Sequence, residues 1–159
     1  MGPLADSTLG ARYLGTNPWM TVATRPYLRE AGTPREPRDL AKHQCLVYSS
    51  VQGDDLWHYT DARGERVEVS VRGRFRSNNL SSVLAATRAG MGIAILPRYV
   101  AREALERDEI VPLLEDCRLP SQEVHAVYPS PKFVSAKVLT LAGYLAERLA
   151  GEWWQAKPG

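Results

Sequence analysis

The stretch Ala89-Gly90-Met91-Gly92-Ile93-Ala94-Ile95-Leu96-Pro97 decides the fold class. Gly90 is typical of the residue that ends a helix in a left-handed conformation. The segment 91–96 is apolar without polar alternation, which indicates a strand buried on both faces, as in a parallel sheet. A helix that leads directly into such a strand predicts an α/β arrangement.

Further strands and helices are predicted along the rest of the chain. We predict strands at 8–14, 19–24, 45–48, 56–60, 66–72, 91–96, 110–114 and 124–128, and helices at 27–31, 80–89, 99–107 and 135–149, with one helical turn at 39–43. The strand 66–72 alternates strictly after a hairpin turn, which indicates a half-buried antiparallel strand. The sequence therefore predicts an α/β fold with a parallel-type sheet in its second half.

Composition and charge narrow the class of protein. The 159 residues are 44% hydrophobic and 24% charged, and the net charge of +2 gives no basic excess for nucleic acid. The apolar runs are too short to cross a bilayer, so we expect no membrane segment. Two cysteines, Cys45 and Cys117, and an N-terminus without an export signal predict reduced thiols in a cytoplasmic protein.

The residues that could carry catalysis or bind metal lack the necessary spacing. His43 and Cys45 are one residue apart, which is not a zinc-site spacing, so we expect no metal and no other cofactor. Ser49 and Ser50 are not set in a Gly-x-Ser-x-Gly elbow. The glycines of the opening stretch lie between a helix and a strand, the reverse of the order in a phosphate-binding loop. We therefore expect that the protein is not an enzyme.

Three arginines recur with a period of two. Arg72, Arg74 and Arg76 are expected on one face of a strand because side chains alternate along a strand. Glu68 and the low net charge favour a solvated or subunit-contact face over a phosphate-binding one.

Several stretches, taken in order, resemble one known family. They are 2–9, 11–15, 23–28, 32–34, 39–40, 43–46, 73–79, 89–97 and 124–129. Together they resemble the effector-binding domain of LysR-type transcriptional regulators. The resemblance extends to about residue 149. It implies an α/β, two-lobed fold like that of type 2 periplasmic binding proteins.

The resemblance also implies a division into lobes. Residues 1–18 would end the first stretch of lobe one, 19–116 would form lobe two, 117–150 would return to lobe one, and 151–159 would be a tail. The crossings near Pro18 and Pro120 would be the hinge. We expect lobe one to be incomplete, because family members carry strand and helix units before the part that matches Met1. The chain is then a fragment of a larger reading frame, or a partner covers the helix stripe of Val138, Ala142, Leu145 and Leu149.

Ligands of open α/β sheets bind beyond the carboxyl ends of the strands, near the beginnings of helices. Three places in this sequence meet that condition. The candidate ligand-binding residues are Ser49, Ser50 and Val51 after one strand, Ser77, Asn78 and Asn79 at the start of a helix, and Leu96 and Pro97 at the end of another strand. The alternative is that the asparagines only cap the helix and the serines only form a loop.

The function that follows from the resemblance is an effector-sensing module of a LysR-type regulator. Its partner would be a small organic effector, for example a carboxylate, and the full-length protein would be a homo-oligomer. DNA would be contacted only through a helix-turn-helix domain that this chain lacks. A stand-alone small-solute-binding protein and an enzyme built on the same fold are the alternatives.

Overall fold

The computed structural model describes residues 10–49, 55–128 and 134–155. Contacts between residues divide the chain into two compact units. The described residues of Met1–Asn17 and Ser121–Gly159 form the first unit, and those of Pro18–Pro120 form the second. None of the helices in these described ranges is long and apolar enough to cross a membrane.

The strands and helices predicted from the sequence occur, with shifts of a few residues at their ends. The strands are β1 (Gly10–Asn17), β2 (Trp19–Ala23), β3 (Gln44–Tyr48), β4 (Leu56–Thr60), β5 (Arg66–Ser70), β6 (Arg72–Ser77), β7 (Ile93–Pro97), β8 (Val111–Leu113) and β9 (Gln122–Tyr128). The helices are α1 (Arg25–Ala31), α2 (Leu80–Arg88), α3 (Arg98–Glu106) and α4 (Ala136–Arg148), and Pro37–Lys42 and Trp153–Gln155 form 3-10 helices.

A five-stranded sheet in the order β6-β3-β7-β2-β8 organises the second unit. β3 is parallel to both of its neighbours, β6 and β7, whereas β2 is antiparallel to β7 and β8. All residues of β7 are buried, which confirms the expectation of a strand covered on both faces. The separate β4–β5 hairpin is antiparallel, as its alternating sequence predicts.

Two apolar cores cover the two faces of this sheet. Cys45 and Val47 of β3 belong to one core, together with the hairpin residue Trp57. Leu46 points to the opposite face and packs in the core formed with α2 and α3. Full burial of a large apolar side chain such as Leu46 stabilises the fold by about 1.5–3 kcal/mol. The sheet is thus held between two layers, which explains why β7 has no polar alternation.

The arginine period predicted from the sequence is broken by a β-bulge. Along the ladder between β3 and β6, Gln44 pairs with Arg72, but Leu46 pairs with Phe75, so β6 has one residue more than β3. Paired residues of a parallel ladder point to the same face, so Arg72 shares a face with Phe75 and Arg76 points to the other. The expectation that the arginines share one face is therefore wrong, and the strand predicted over 66–72 divides into β5 and β6 around Val71.

The bulge depends on a close approach of two backbones. A Cβ atom at Gly73 would collide with the backbone carbonyl of Cys45 in β3. On the other side of β3, a Cβ atom at Gly92 would collide with the carbonyl of Gln44. Glycine is required at both positions because side chains there would push the neighbouring strands away from β3.

We predict that Gly73→Ala lowers the free energy of unfolding by about 1–3 kcal/mol, since the added methyl group has only rigid backbone to displace. Urea denaturation followed by circular dichroism measures the change. Gly143→Ala is the contrasting variant, because a Cβ atom there would meet only Arg12 side-chain atoms at 3.8 Å. It lies inside α4 and should raise stability by roughly 0.5–1 kcal/mol. Equal effects of the two substitutions would contradict the close-approach argument.

A partly buried hydrogen-bond network joins α1 to the start of β3. The Tyr27 hydroxyl accepts a hydrogen bond from the Gln44 backbone N–H at 3.0 Å and lies 3.2 Å from His43 Nδ1. The side chain of His43 is buried, which disfavours its charged form. Burial accordingly lowers the pKa of His43 below its ordinary value, and the neighbouring Asp39 only partly opposes this.

The lowered pKa of His43 predicts a loss of stability in mild acid. The unfolded chain takes up the imidazole proton near pH ~6.5, whereas the folded protein resists it to a lower pH. The free energy of unfolding should therefore fall as the pH drops below about 6.5. Urea titrations at about pH 7.5 and about pH 5.5 test this, with His43→Gln as the comparison. The stability difference between the two proteins should shrink in acid, and a constant difference would contradict the prediction.

The first unit is less well covered than the second. Its two-stranded sheet pairs β1 with β9, and α4 packs on β1. In the stripe predicted for α4, Ala142 is buried and Val138 is 41% exposed. Leu141 and Tyr144 of the same helix are also largely exposed. A helix with apolar residues around most of its circumference is typical of a buried element, so α4 presents surface that a further polypeptide could cover.

Candidate functional site

The carboxyl ends of three parallel strands meet at one edge of the five-stranded sheet. β6 ends at Ser77, β3 at Tyr48 and β7 at Pro97. Tyr48 pairs with Ser77 in the ladder, and the Ser49 backbone N–H donates a hydrogen bond of 3.1 Å to the Ser77 carbonyl. The structure therefore brings together Ser49 and Ser77, two of the residues predicted from the sequence.

The segment after β6 is shaped by hydrogen bonds to its own backbone. The Asn79 N–H donates to Ser77 Oγ at 3.1 Å, and Asn79 Oδ1 accepts a hydrogen bond from the Ser82 N–H at 3.0 Å. Asn79 is thus the N-cap of α2, as the alternative to ligand binding supposed. The neighbouring Asn78 is exposed at the same corner.

The other candidate residues contribute differently. Leu96 is fully buried, and its side chain lies in the core shared with α2 and α3. Pro97 is also fully buried. These two residues shape the end of β7 rather than present side chains at the edge. Ser50 and Val51 lie outside the described residues.

An aromatic pair at this edge was not predicted from the sequence. Trp19 begins β2 and pairs with Pro97, which places it beside the end of β7. Its ring lies 5.9 Å from the ring of Tyr48, with an angle of 34° between the planes. Trp19 is only 9% exposed, whereas Tyr48 is half-buried. The antiparallel register of β2 against β7 creates this pair, and no local pattern in the sequence reveals that register.

Two helices begin at the same edge. α2 follows β6 and α3 follows β7 directly, and neither has an acidic residue in its first turn. The partial positive charge at a helix N-terminus favours an anion. Arg98, the first residue of α3, is exposed and adds a full positive charge, while its backbone N–H donates to the Pro18 carbonyl at 2.9 Å. Arg98 and Trp19 also line a small cavity of about 50 Å³ on the side of β2 and β8, where Glu115 is among the lining residues.

Within the described ranges, no group of three or more His, Cys, Asp or Glu side chains is placed to hold a metal ion. Cys45, on β3, is buried, and burial raises the pKa of its thiol to about 12. A thiol with so high a pKa carries too little thiolate at neutral pH to act as a nucleophile.

Comparison with known proteins identifies the family. The family model described as the LysR substrate binding domain matches residues 1–150. The chain belongs to this family. As a LysR substrate-binding domain, it has the α/β, periplasmic-binding-protein-like fold predicted from the sequence, and the family consists of transcriptional regulators.

Its relatives are helix-turn-helix regulators of bacteria. An uncharacterized HTH-type transcriptional regulator of Haemophilus influenzae is 30% identical over 142 residues, which are 87% of this chain and 48% of that protein. The full-length structure of the Vibrio cholerae virulence activator AphB, at 29% identity, superposes with a TM-score of 0.79 over 93% of this chain and 50% of that one. The regulatory domain of CrgA from Neisseria meningitidis, at 28% identity, gives a TM-score of 0.75 and covers 94% and 72% of the two chains. The LysR substrate-binding domain described here thus spans about half the length of its full-length relatives.

We predict that substitution of Asn79 destabilises the fold, because Asn79 caps α2, and that substitution of the neighbouring Asn78 does not. Asn79→Ala should lower the free energy of unfolding by about 0.5–2 kcal/mol, because it removes the N-cap of α2. Asn78→Ala is the matched control and should leave stability within about 0.5 kcal/mol, since Asn78 is exposed. Thermal and urea unfolding measure both changes. A larger loss for Asn78→Ala than for Asn79→Ala would contradict the capping assignment.

Proposed function

We propose that this chain is the effector-sensing domain of a longer transcriptional regulator and that its effector is a small organic anion, most simply a carboxylate. The effector would bind at the edge where β6, β3 and β7 end. Membership of the LysR substrate-binding family supports a role in effector sensing. The positive ends of α2 and α3, which have no acidic residue in their first turns, favour an anionic effector.

The convergence of two helix N-termini carries the proposal. α2 and α3 begin after β6 and β7, the two strands that flank β3. A carboxylate between them would be stabilised by the partial positive charge of the two helix N-termini. In this proposal Ser49 and Ser77, which follow or end β3 and β6, would bind one side of the effector, and Arg98, at the start of α3, would bind the other.

The spacing of the strands limits the size of the effector. Neighbouring strands are about 4.8 Å apart, so the ends of β6 and β7 are separated by roughly 10 Å. A molecule that bridges them is about as long as one ring with a carboxyl group or a short substituted chain. The half-buried Tyr48, supported by Trp19, would pack against a flat apolar body.

The two units would act as hinged lobes, with the chain crossing between them near Pro18 and Pro120. A ligand shifts such an equilibrium only through a difference in its affinity for the open and closed forms. Closure would alter subunit packing in a homo-oligomer and so the position of a DNA-binding domain elsewhere in the full-length protein. We further propose that the protein works in the cytoplasm and catalyses no reaction.

A ligand screen tests the proposal. Small carboxylates and their neutral amides, matched in shape, are added to the protein and the thermal midpoint Tm is followed. A carboxylate at a hundredfold excess over its Kd should stabilise the fold by about 2.7 kcal/mol, and its amide should not. Failure of every carboxylate in a broad panel, or equal binding of acids and amides, would count against an anionic effector.

Substitutions then locate the site. For a carboxylate that binds, Arg98→Gln and Ser77→Ala should each weaken the affinity by about tenfold, as expected when a charged or hydrogen-bonding contact is removed. Arg63→Gln, in the turn of the β4–β5 hairpin, is the control and should bind normally. Isothermal titration calorimetry measures the affinities. Normal binding by both site variants would place the effector elsewhere.

A further inference from the structure

The C-terminal tail contacts the last residues of β1. Trp153 lies in the 3-10 helix that follows α4, and its indole Nε1–H donates a hydrogen bond of 2.8 Å to the Thr16 backbone carbonyl. The neighbouring Trp154 is half-buried, and the two indole rings meet edge to face at 6.1 Å. The tail is therefore packed against the first unit through a specific polar contact.

The carbonyl that accepts this bond belongs to β1. Among the described strands, β1 pairs only with β9, so its other edge has no strand to satisfy it. An exposed edge leaves backbone groups available to other chains or to fraying. The Trp153 indole binds the carbonyl of Thr16, one residue before the strand ends.

The end of α4 also lies against this part of β1. A Cβ atom at Gly15 would collide with the Leu149 backbone carbonyl, so only glycine allows this close approach. On the side of β9, Asn17 Nδ2 donates to Gln122 Oε1 at 3.2 Å. The last three residues of β1 are thus held by α4 and the tail and by β9.

These three residues are where the chain leaves the first unit. Asn17 is its last residue in this part of the chain, and Pro18 begins the second unit. Asn17 is only 7% exposed although it is polar, and its side chain is held by the hydrogen bond to Gln122. Pro18 connects the end of β1 to the start of β2.

We propose that the segment 151–155 is a clamp on the crossing strand and that Trp153 is its positioning residue. The indole hydrogen bond to Thr16 fixes the end of β1 and thereby limits the freedom of the connection to the second unit. The clamp follows from contacts inside the first unit, and it holds whether or not the edge of the five-stranded sheet binds a carboxylate.

Hydrogen–deuterium exchange of the whole 159-residue protein tests the clamp. Trp153→Phe keeps an aromatic ring but removes the N–H donor, and exchange in peptides over 10–17 should become about three- to tenfold faster. Trp154→Phe is the matched control, because Trp154 Nε1 has no hydrogen-bond partner among the described residues. It should leave exchange over 10–17 within about twofold of the unsubstituted protein.

The pattern of exchange separates a clamp from a general loss of stability. In Trp153→Phe, peptides over 44–48 in the second unit should exchange at the normal rate, and Tm should stay close to that of the Trp154→Phe control. Trp153→Leu should reproduce the faster exchange over 10–17. Unchanged exchange there in both Trp153 variants would overturn the proposal, and so would an equal acceleration over 44–48.

Discussion

The close approach of three backbones around Gln44 and Cys45 is the constraint on which the second unit depends. Glycine at 73 lets β6 lie against β3 on one side, and glycine at 92 lets the start of β7 approach on the other. With β3 held between two parallel neighbours, the carboxyl ends of all three strands must fall at the same edge. That edge is also where α2 and α3 have to begin. The site is therefore a consequence of strand packing more than of any single polar residue.

Features with a local physical cause could be predicted from the sequence, and features that depend on register could not. The unbroken apolar run of β7 and the capping residues before α2 are local signals, and the structure has both elements. The bulge in β6 arises only because Gly73 meets the Cys45 carbonyl, which is distant in sequence. A period of two therefore gave a wrong face for Arg72 relative to Arg76. The contact between Trp19 and Tyr48 also depends on strand register, so the sequence does not predict it.

The candidate site shows the same division. The proximity of Ser49 to Ser77 was predictable because parallel strands end together, whereas Leu96 at a strand end is turned into the core. Asn79 was ambiguous in the sequence, and its hydrogen bond to the Ser82 N–H makes it a helix cap. In the sequence, nothing distinguishes Arg98 from other surface cations. The structure shows that it begins α3 directly after the end of β7. The type and position of a residue in the sequence thus suggest that it lies at this edge, but only the structure shows whether its side chain points to the edge or into the core.

The two units differ in how their order is maintained. The second unit buries apolar residues on both faces of five strands, so its strands are fixed mainly by packing. The described part of the first unit has two strands, and a two-stranded sheet is marginally stable by itself. Where the apolar core is thin, individual hydrogen bonds carry a larger share of the local order. We therefore expect a single indole N–H to matter for the local order of β1 at Thr16.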